Sequence, residues 1–324
     1  MTTKRPIDFP HEGSSDPRIV SPLSQFAGAV PPAPAWFHKA LADTPERSFI
    51  EVEGAKVEVL TWGERGKPGL LLLHGNGAHA DWYSFIAPFF SKQYRVAAMS
   101  WTGMGGSDWR EAYEFDQYGR EAMAVAEATG LFEAAVPPVV AAHSFGGALA
   151  LRLAAVSGDR LKGVILLDNV PRPPELRWQG PPSSEGRKPR IHPDLTAGLA
   201  RFRLMPPQPC DNLFVLDYIA RLALRPSEDG TGLVWRHDPQ LWPKMDRQLA
   251  LESEKDLQAA RCPLAFIWGE HSQLVPDVAI GFTRRYVPEG TPMLAVPDAD
   301  HHLMLDQPLA TVAALRGLLA AWPS

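Results

Sequence analysis

The 324-residue sequence predicts an α/β fold, a doubly wound and mostly parallel sheet with an inserted helical cap, and three observations carry that expectation. Short, uniformly apolar runs ending in turn residues have the pattern of strands buried on both faces. Segments with helical spacing alternate with those runs, which is the order that builds a doubly wound sheet. One stretch from about Asn169 to Arg261 lacks any strand-helix-strand unit and is too long for a bare loop in a compact domain.

Residues 1–35 are rich in Pro, Ser and Gly, show neither helical nor strand period, and read as an N-terminal arm. The core is expected in two pieces, 36–168 and 262–324. Strands fall at Phe49–Val52, Lys56–Trp62, Gly69–Leu73, Arg95–Met99, Pro138–Ala142 and Gly163–Leu167 in the first piece, and at Leu264–Trp268 and Met293–Val296 in the second. Helices are expected at Asp116–Thr129, Phe145–Val156 and Leu309–Trp322. In the last, Val312, Leu315, Leu318, Leu319 and Trp322 share one stripe, and Pro308 suits the first turn. The interruption, 169–261, is read as a cap over the strand ends, with short helices such as Asp194–Leu204 and Asn212–Leu224.

Composition narrows the function. With 45% hydrophobic and 21% charged residues the chain can bury one large core. A net charge of -5 provides no basic field for a phosphate backbone, so a nucleic-acid partner is not expected. The richest apolar stretch, Ala148 to Val156, is interrupted by Arg152 and falls short of the roughly 18 residues of a membrane span. The first residues, MTTKRPIDFPHEGSSDP, lack the apolar segment of a secretory signal, so the expected location is the cytoplasm, with a small molecule as partner and a homodimer compatible with the composition. Cys210 and Cys262 lie far apart with no ligand spacing, so reduced structural thiols are expected and no metal or cofactor.

The chemistry concentrates in a few segments. Val139-Val140-Ala141-Ala142-His143-Ser144-Phe145-Gly146-Gly147-Ala148 reads as strand, turn and helix, a junction that lifts the central hydroxyl out at the carboxyl end of a sheet. Ala142 stands where such elbows carry a first glycine, a mild change because the position needs only a small side chain. Leu71-Leu72-Leu73-His74-Gly75-Asn76-Gly77 is a second buried strand running into a glycine-bearing loop. Trp101-Thr102-Gly103-Met104-Gly105-Gly106-Ser107-Asp108 looks superficially like a dinucleotide fingerprint, but no helix opens at its glycines and no ribose-binding acid follows in strand context.

Together these segments resemble the α/β-hydrolase family, over roughly residues 36 to 322. The resemblance makes Ser144 the nucleophile and the backbone N–H groups of Asn76 and Phe145 the oxyanion donors. In the family the catalytic His precedes an acid by five residues and a Pro by seven, which selects His301 ahead of Asp306 and Pro308; His302 is offset by one and is read as a pocket residue. The family's acid normally follows the seventh strand, where this chain has Ser272 in Trp268-Gly269-Glu270-His271-Ser272. Some members carry the acid after strand six instead, so Asp168 is preferred, with Glu270 as the alternative and then Asp277 or no acid.

Gly75, His143, His302 and Arg203 are the candidate substrate contacts, the last because an Arg on a cap helix could face an acidic group. Trp235, Trp242, Phe214, Tyr218 and Met205 suit a pocket or ordinary core equally. The basic residues Arg172, Arg177, Arg187, Lys188 and Arg190, set against Glu175 and Glu185, read as solvated loop surface. The expected activity is a serine hydrolase that cleaves a small carboxylic ester or lactone through an acyl-enzyme, without cofactor or metal. A lyase or perhydrolase on the same scaffold, or a ligand-sensing pseudo-hydrolase, is the alternative; an epoxide hydrolase or dehalogenase would need Asp in place of Ser144.

Overall fold

Among the described residues the chain threads ten strands. β1 (Glu46–Val52) and β2 (Ala55–Trp62) form a hairpin, followed by β3 (Gly69–Leu73), β4 (Arg95–Met99), β5 (Val139–His143), β6 (Gly163–Leu167), β7 (Leu224–Pro226), β8 (Leu233–Trp235), β9 (Leu264–Gly269) and β10 (Met293–Val296). This is a computed structural model that describes residues 13–176, 186, 188–246 and 253–322. Eight strands make one sheet in the order β1-β2-β4-β3-β5-β6-β9-β10, in which β2 alone runs against its neighbours. The apolar runs predicted as two-faced strands are such: β3, β5 and β6 are buried throughout.

Alternation along those strands splits the core in two. Leu70, Leu72, Val139, Ala141, Ile165 and Leu167 face one apolar cluster, and Leu71, Leu73, Val140, Ala142, Val164 and Leu166 face the other. The second cluster is covered by the helices Phe115–Ala128 and Phe145–Ser157, the first by Ala35–Leu41 and Pro308–Ala321. Each fully buried Leu contributes about 1.5–3 kcal/mol by leaving water, so the layers hold the sheet rigidly under whatever sits at its edge.

The interruption departs from the expectation in three ways. It carries helices Leu195–Leu199 and Leu213–Leu222, but also the antiparallel pair β7 and β8, so the described part of this insertion mixes helix and strand. Its first helix is shorter than expected and stops at Leu199, with Ala200 as its C-cap. The helix Ser253–Ala259 belongs to the core layers: Leu257 is buried in the second cluster and Asp256 pairs with Arg152 at 3.2 Å. The arm, expected to lack regular structure, contains the helix Pro17–Val20 capped by Asp16, and it buries Ile19 and Leu23. Of the basic run, Arg177, Glu185 and Arg187 lie outside the described residues.

Candidate active site

Loops meet at the carboxyl ends of the parallel strands, the edge where open α/β sheets place ligands. After β5, Ser144 takes φ 52° and ψ -118°, a strained conformation costing about 1–3 kcal/mol that turns the chain sharply from strand into helix. The turn works only if the helix comes very near the β3 loop. A Cβ on Gly146 would sit 2.5 Å from the His74 carbonyl oxygen, so glycine is required there.

His301 stands beyond β10. Its Nε2 lies 2.9 Å from the Ser144 hydroxyl and its Nδ1 2.6 Å from Oδ2 of Asp168. Asp168 follows β6 in the left-handed region, at φ 49°, and is buried. Its carboxylate also accepts the Ser272 hydroxyl at 2.6 Å on Oδ2 and the Gly269 N–H at 2.9 Å on Oδ1. The serine in the family's usual acid position therefore anchors the carboxylate that comes from the neighbouring strand. Glu270 lies outside this chain of hydrogen bonds, exposed, where its carboxylate accepts the N–H of Asp298; Asp277 is exposed in the helix Asp277–Thr283.

Above Ser144 a cavity of about 20 Å³ is lined by Gly75, Asn76, Ala78, Trp82, His143, Ser144, Met205 and His302. Thus Gly75, His143 and His302 reach the cavity. Arg203 does not: it is exposed and lies beyond the end of the helix at Leu199. Of the aromatic candidates, Phe214 and Tyr218 pack on Phe37 in the core, Trp235 packs on His192 and Phe202, and Trp242 packs on Phe145. Phe145 opens its helix, so its N–H has no acceptor within that helix.

Burial sets the protonation of the surrounding imidazoles. His74 is pushed down to about 3 by desolvation, and its Nε2 accepts the Trp101 N–H at 3.2 Å, a structural tie between the two glycine loops. Desolvation, with the charge of His301 beside them, also holds His143 and His302 well below the ordinary histidine range. The loop around Gly105 and Gly106 is a clamp: the Gly106 N–H and the Ser100 hydroxyl both donate to buried Glu58, and the Ser107 hydroxyl donates to the Ser100 carbonyl.

Two contributors escaped the sequence reading. Ser272 was visible only as a missing acid. Gln208, in the insertion between β6 and β9, accepts the His302 N–H at 3.1 Å and donates to Asp306 at 2.9 Å, while Asp306 accepts the Asp300 N–H at 2.9 Å. The acid five residues after His301 thus braces the loop that carries it, and no spacing rule announces its partner from the cap.

An eight-stranded, mostly parallel sheet with a serine at a strained strand-to-helix turn defines an α/β-hydrolase fold. The chain belongs to the alpha/beta hydrolase family, whose model matches residues 70–315. It is 30% identical over 129 residues to epoxide hydrolase 4 of Mus musculus, which covers 38% of this chain and 34% of that protein, so the chain spans about a third of this relative's length. It is also 30% identical over 127 residues to 2-heptyl-3-hydroxy-4-quinolone dioxygenase AqdC2 of Rhodococcus erythropolis, 38% of this chain and 46% of that one. In structure it resembles E-2-(acetamidomethylene)succinate hydrolase with a TM-score of 0.70 at 19% identity, covering 86% of this chain and all of the other. Those names span different reactions, so the chemistry has to be argued from this chain's own residues. Among the described residues no helix is long and apolar enough to cross a membrane.

Proposed function

We propose that this protein is a serine hydrolase that cleaves a small carboxylic ester or lactone through an acyl-enzyme. The observation that carries the reading is the series Asp168, His301, Ser144, joined at 2.6 and 2.9 Å. In it Asp168 holds the Nδ1–H tautomer of His301, leaving Nε2 free to take the Ser144 proton as the hydroxyl attacks a carbonyl. The N–H groups of Asn76 and Phe145 receive the developing oxyanion, each worth roughly 2.7–4 kcal/mol of barrier. His301 then protonates the leaving alcohol, and water repeats the two steps in reverse to free the acid.

The cavity favours a small acyl group, since its volume of about 20 Å³ lies far below the roughly 300 Å³ where drug-sized pockets begin. Ala78, Trp82 and Met205 give it apolar lining. A nucleophilic carboxylate, which epoxide opening would need at the elbow, is replaced by the Ser144 hydroxyl. The test is a panel of p-nitrophenyl esters of increasing chain length, with lactones, on wild type and Ser144→Ala. Turnover should fall with chain length and vanish in the variant; equal rates for the two proteins would remove the reading.

A further inference from the structure

We propose that His143, His301 and His302 form a binding site for a borderline-soft divalent transition metal, of the Zn²⁺ or Cu²⁺ class, whose occupancy shuts the Ser144 centre. The three imidazoles come from the end of β5 and from the loop after β10, so their gathering is a product of the fold. One ring nitrogen from each lies within 4.8 Å of the others. The ring centroids are 4.7, 5.4 and 4.7 Å apart for the pairs 143–301, 143–302 and 301–302.

Two of the rings already carry the outer hydrogen bond that metal-ligating histidines make. His301 bonds Asp168 through Nδ1, and His143 bonds the His301 carbonyl through Nε2 at 2.9 Å. In metal sites such contacts to a carboxylate or main-chain carbonyl fix the tautomer and leave the opposite nitrogen as donor. That opposite nitrogen is Nε2 in His301 and Nδ1 in His143. The third ring is the independent sign. His302 is buried, and its ring has only a loose approach to the Met205 main chain, with no hydrogen bond of ordinary geometry on either nitrogen, a state that a ligand would relieve. His143 and His302 both line the cavity, which gives an ion its path in.

Imidazoles at Zn–N distances near 2.0–2.1 Å on a tetrahedral ion stand about 3.3 Å apart, so the rings need to close by about 1.5 Å at most, and a fourth position remains for water. Neutral imidazole favours Zn²⁺ and Cu²⁺ over Mg²⁺ or Ca²⁺. Metal on His301 Nε2 occupies the lone pair that would accept the Ser144 proton. The hydroxyl then keeps its proton and the nucleophile is silent.

Binding can be read without any substrate. Full-length protein freed of metal with a chelator is titrated with Co²⁺, followed by visible ligand-field bands, and with Zn²⁺, followed by calorimetry. One ion per chain is expected, with affinity lowered about tenfold or more in His302→Gln and unchanged in His271→Ala, which alters the exposed Glu270, His271, Asp298 group. Should His302→Gln fail to fold, His143→Gln serves in its place. Absent binding, equal affinity in wild type and the histidine variant, or loss in His271→Ala overturns the proposal. Saturating Zn²⁺ should also block labelling of Ser144 by a fluorophosphonate; unimpeded labelling overturns the overlap. A Ser144 that never labels, metal or not, counts against the hydrolase reading, while the Co²⁺ spectrum still decides the metal site.

Discussion

Replacing Asp168 by Asn tests the catalytic reading most sharply, because the surrounding donors dictate how the amide must sit. Oδ1 of Asp168 receives the Gly269 N–H, a fixed main-chain donor, whereas Oδ2 receives the His301 ring and the Ser272 hydroxyl. An Asn therefore keeps its carbonyl towards Gly269 and turns its NH₂ towards His301, while the Ser272 hydroxyl can rotate to accept. The NH₂ group forces His301 Nδ1 to act as an acceptor and moves the ring proton to Nε2, the atom that should accept from Ser144. The fold stays intact but the base is in the wrong tautomer. In triads of this type the loss is about 10⁴-fold in kcat, which corresponds to about 5.5 kcal/mol of barrier. Initial rates on a short-chain p-nitrophenyl ester, with circular dichroism to check the fold, measure it. Glu270→Gln should stay within twofold or so of wild type, as its carboxylate is exposed and bonded only to the Asp298 main chain among its described hydrogen bonds. An Asp168→Asn enzyme retaining more than about a tenth of wild-type kcat would refute the assignment of the acid.

Ser272→Ala leaves Asp168 its bonds to His301 and Gly269 but removes one charge-assisted hydrogen bond, worth about 1.5–3 kcal/mol, so kcat should fall roughly tenfold, far less than for Asp168→Asn. Gly146→Ala drives a Cβ to 2.5 Å from the His74 carbonyl, and urea unfolding should show a loss of about 1–3 kcal/mol with a fall in activity. Burial pushes Asp306 up to about 7, so the folded chain holds a proton that the unfolded chain has released above about 4. Stability should accordingly decline as pH rises from about 4 to about 7, and Asp306→Asn should flatten that part of the profile in urea melts; an unchanged slope would argue against the buried carboxyl as its source.

Much of the sheet was legible because its strands are short apolar runs with their own turn signals: the buried Gly69–Leu73, Arg95–Met99 and Gly163–Leu167, and the part-exposed edge strand Met293–Val296, have the bounds expected of them. The nucleophile elbow was legible for the same local reason, since small residues at 142, 146 and 147 are a steric demand written in consecutive positions. The cap was harder. β7 and β8 are three residues each and mix Arg and Pro with Leu and Val, too short to display a period of two. The arm hid its order because Ile19 and Leu23 are single apolar residues that become buried only against other elements. Bonds such as Ser272 to Asp168 or Gln208 to Asp306 span about a hundred positions and follow from strand order, which no window along the chain contains.

The stitching between cap and histidine loop constrains how the molecule can breathe. Beyond Gln208, the Asn212 amide grips the carbonyls of Leu305 and Asp306 at 2.8 and 2.9 Å, and Arg221 holds the arm at Gly28 at 2.7 Å. A roof fastened to the same short stretch that presents the imidazole cannot tilt without tugging on it. Met205, which lines the cavity and stands 61% exposed, belongs to the same fastened segment.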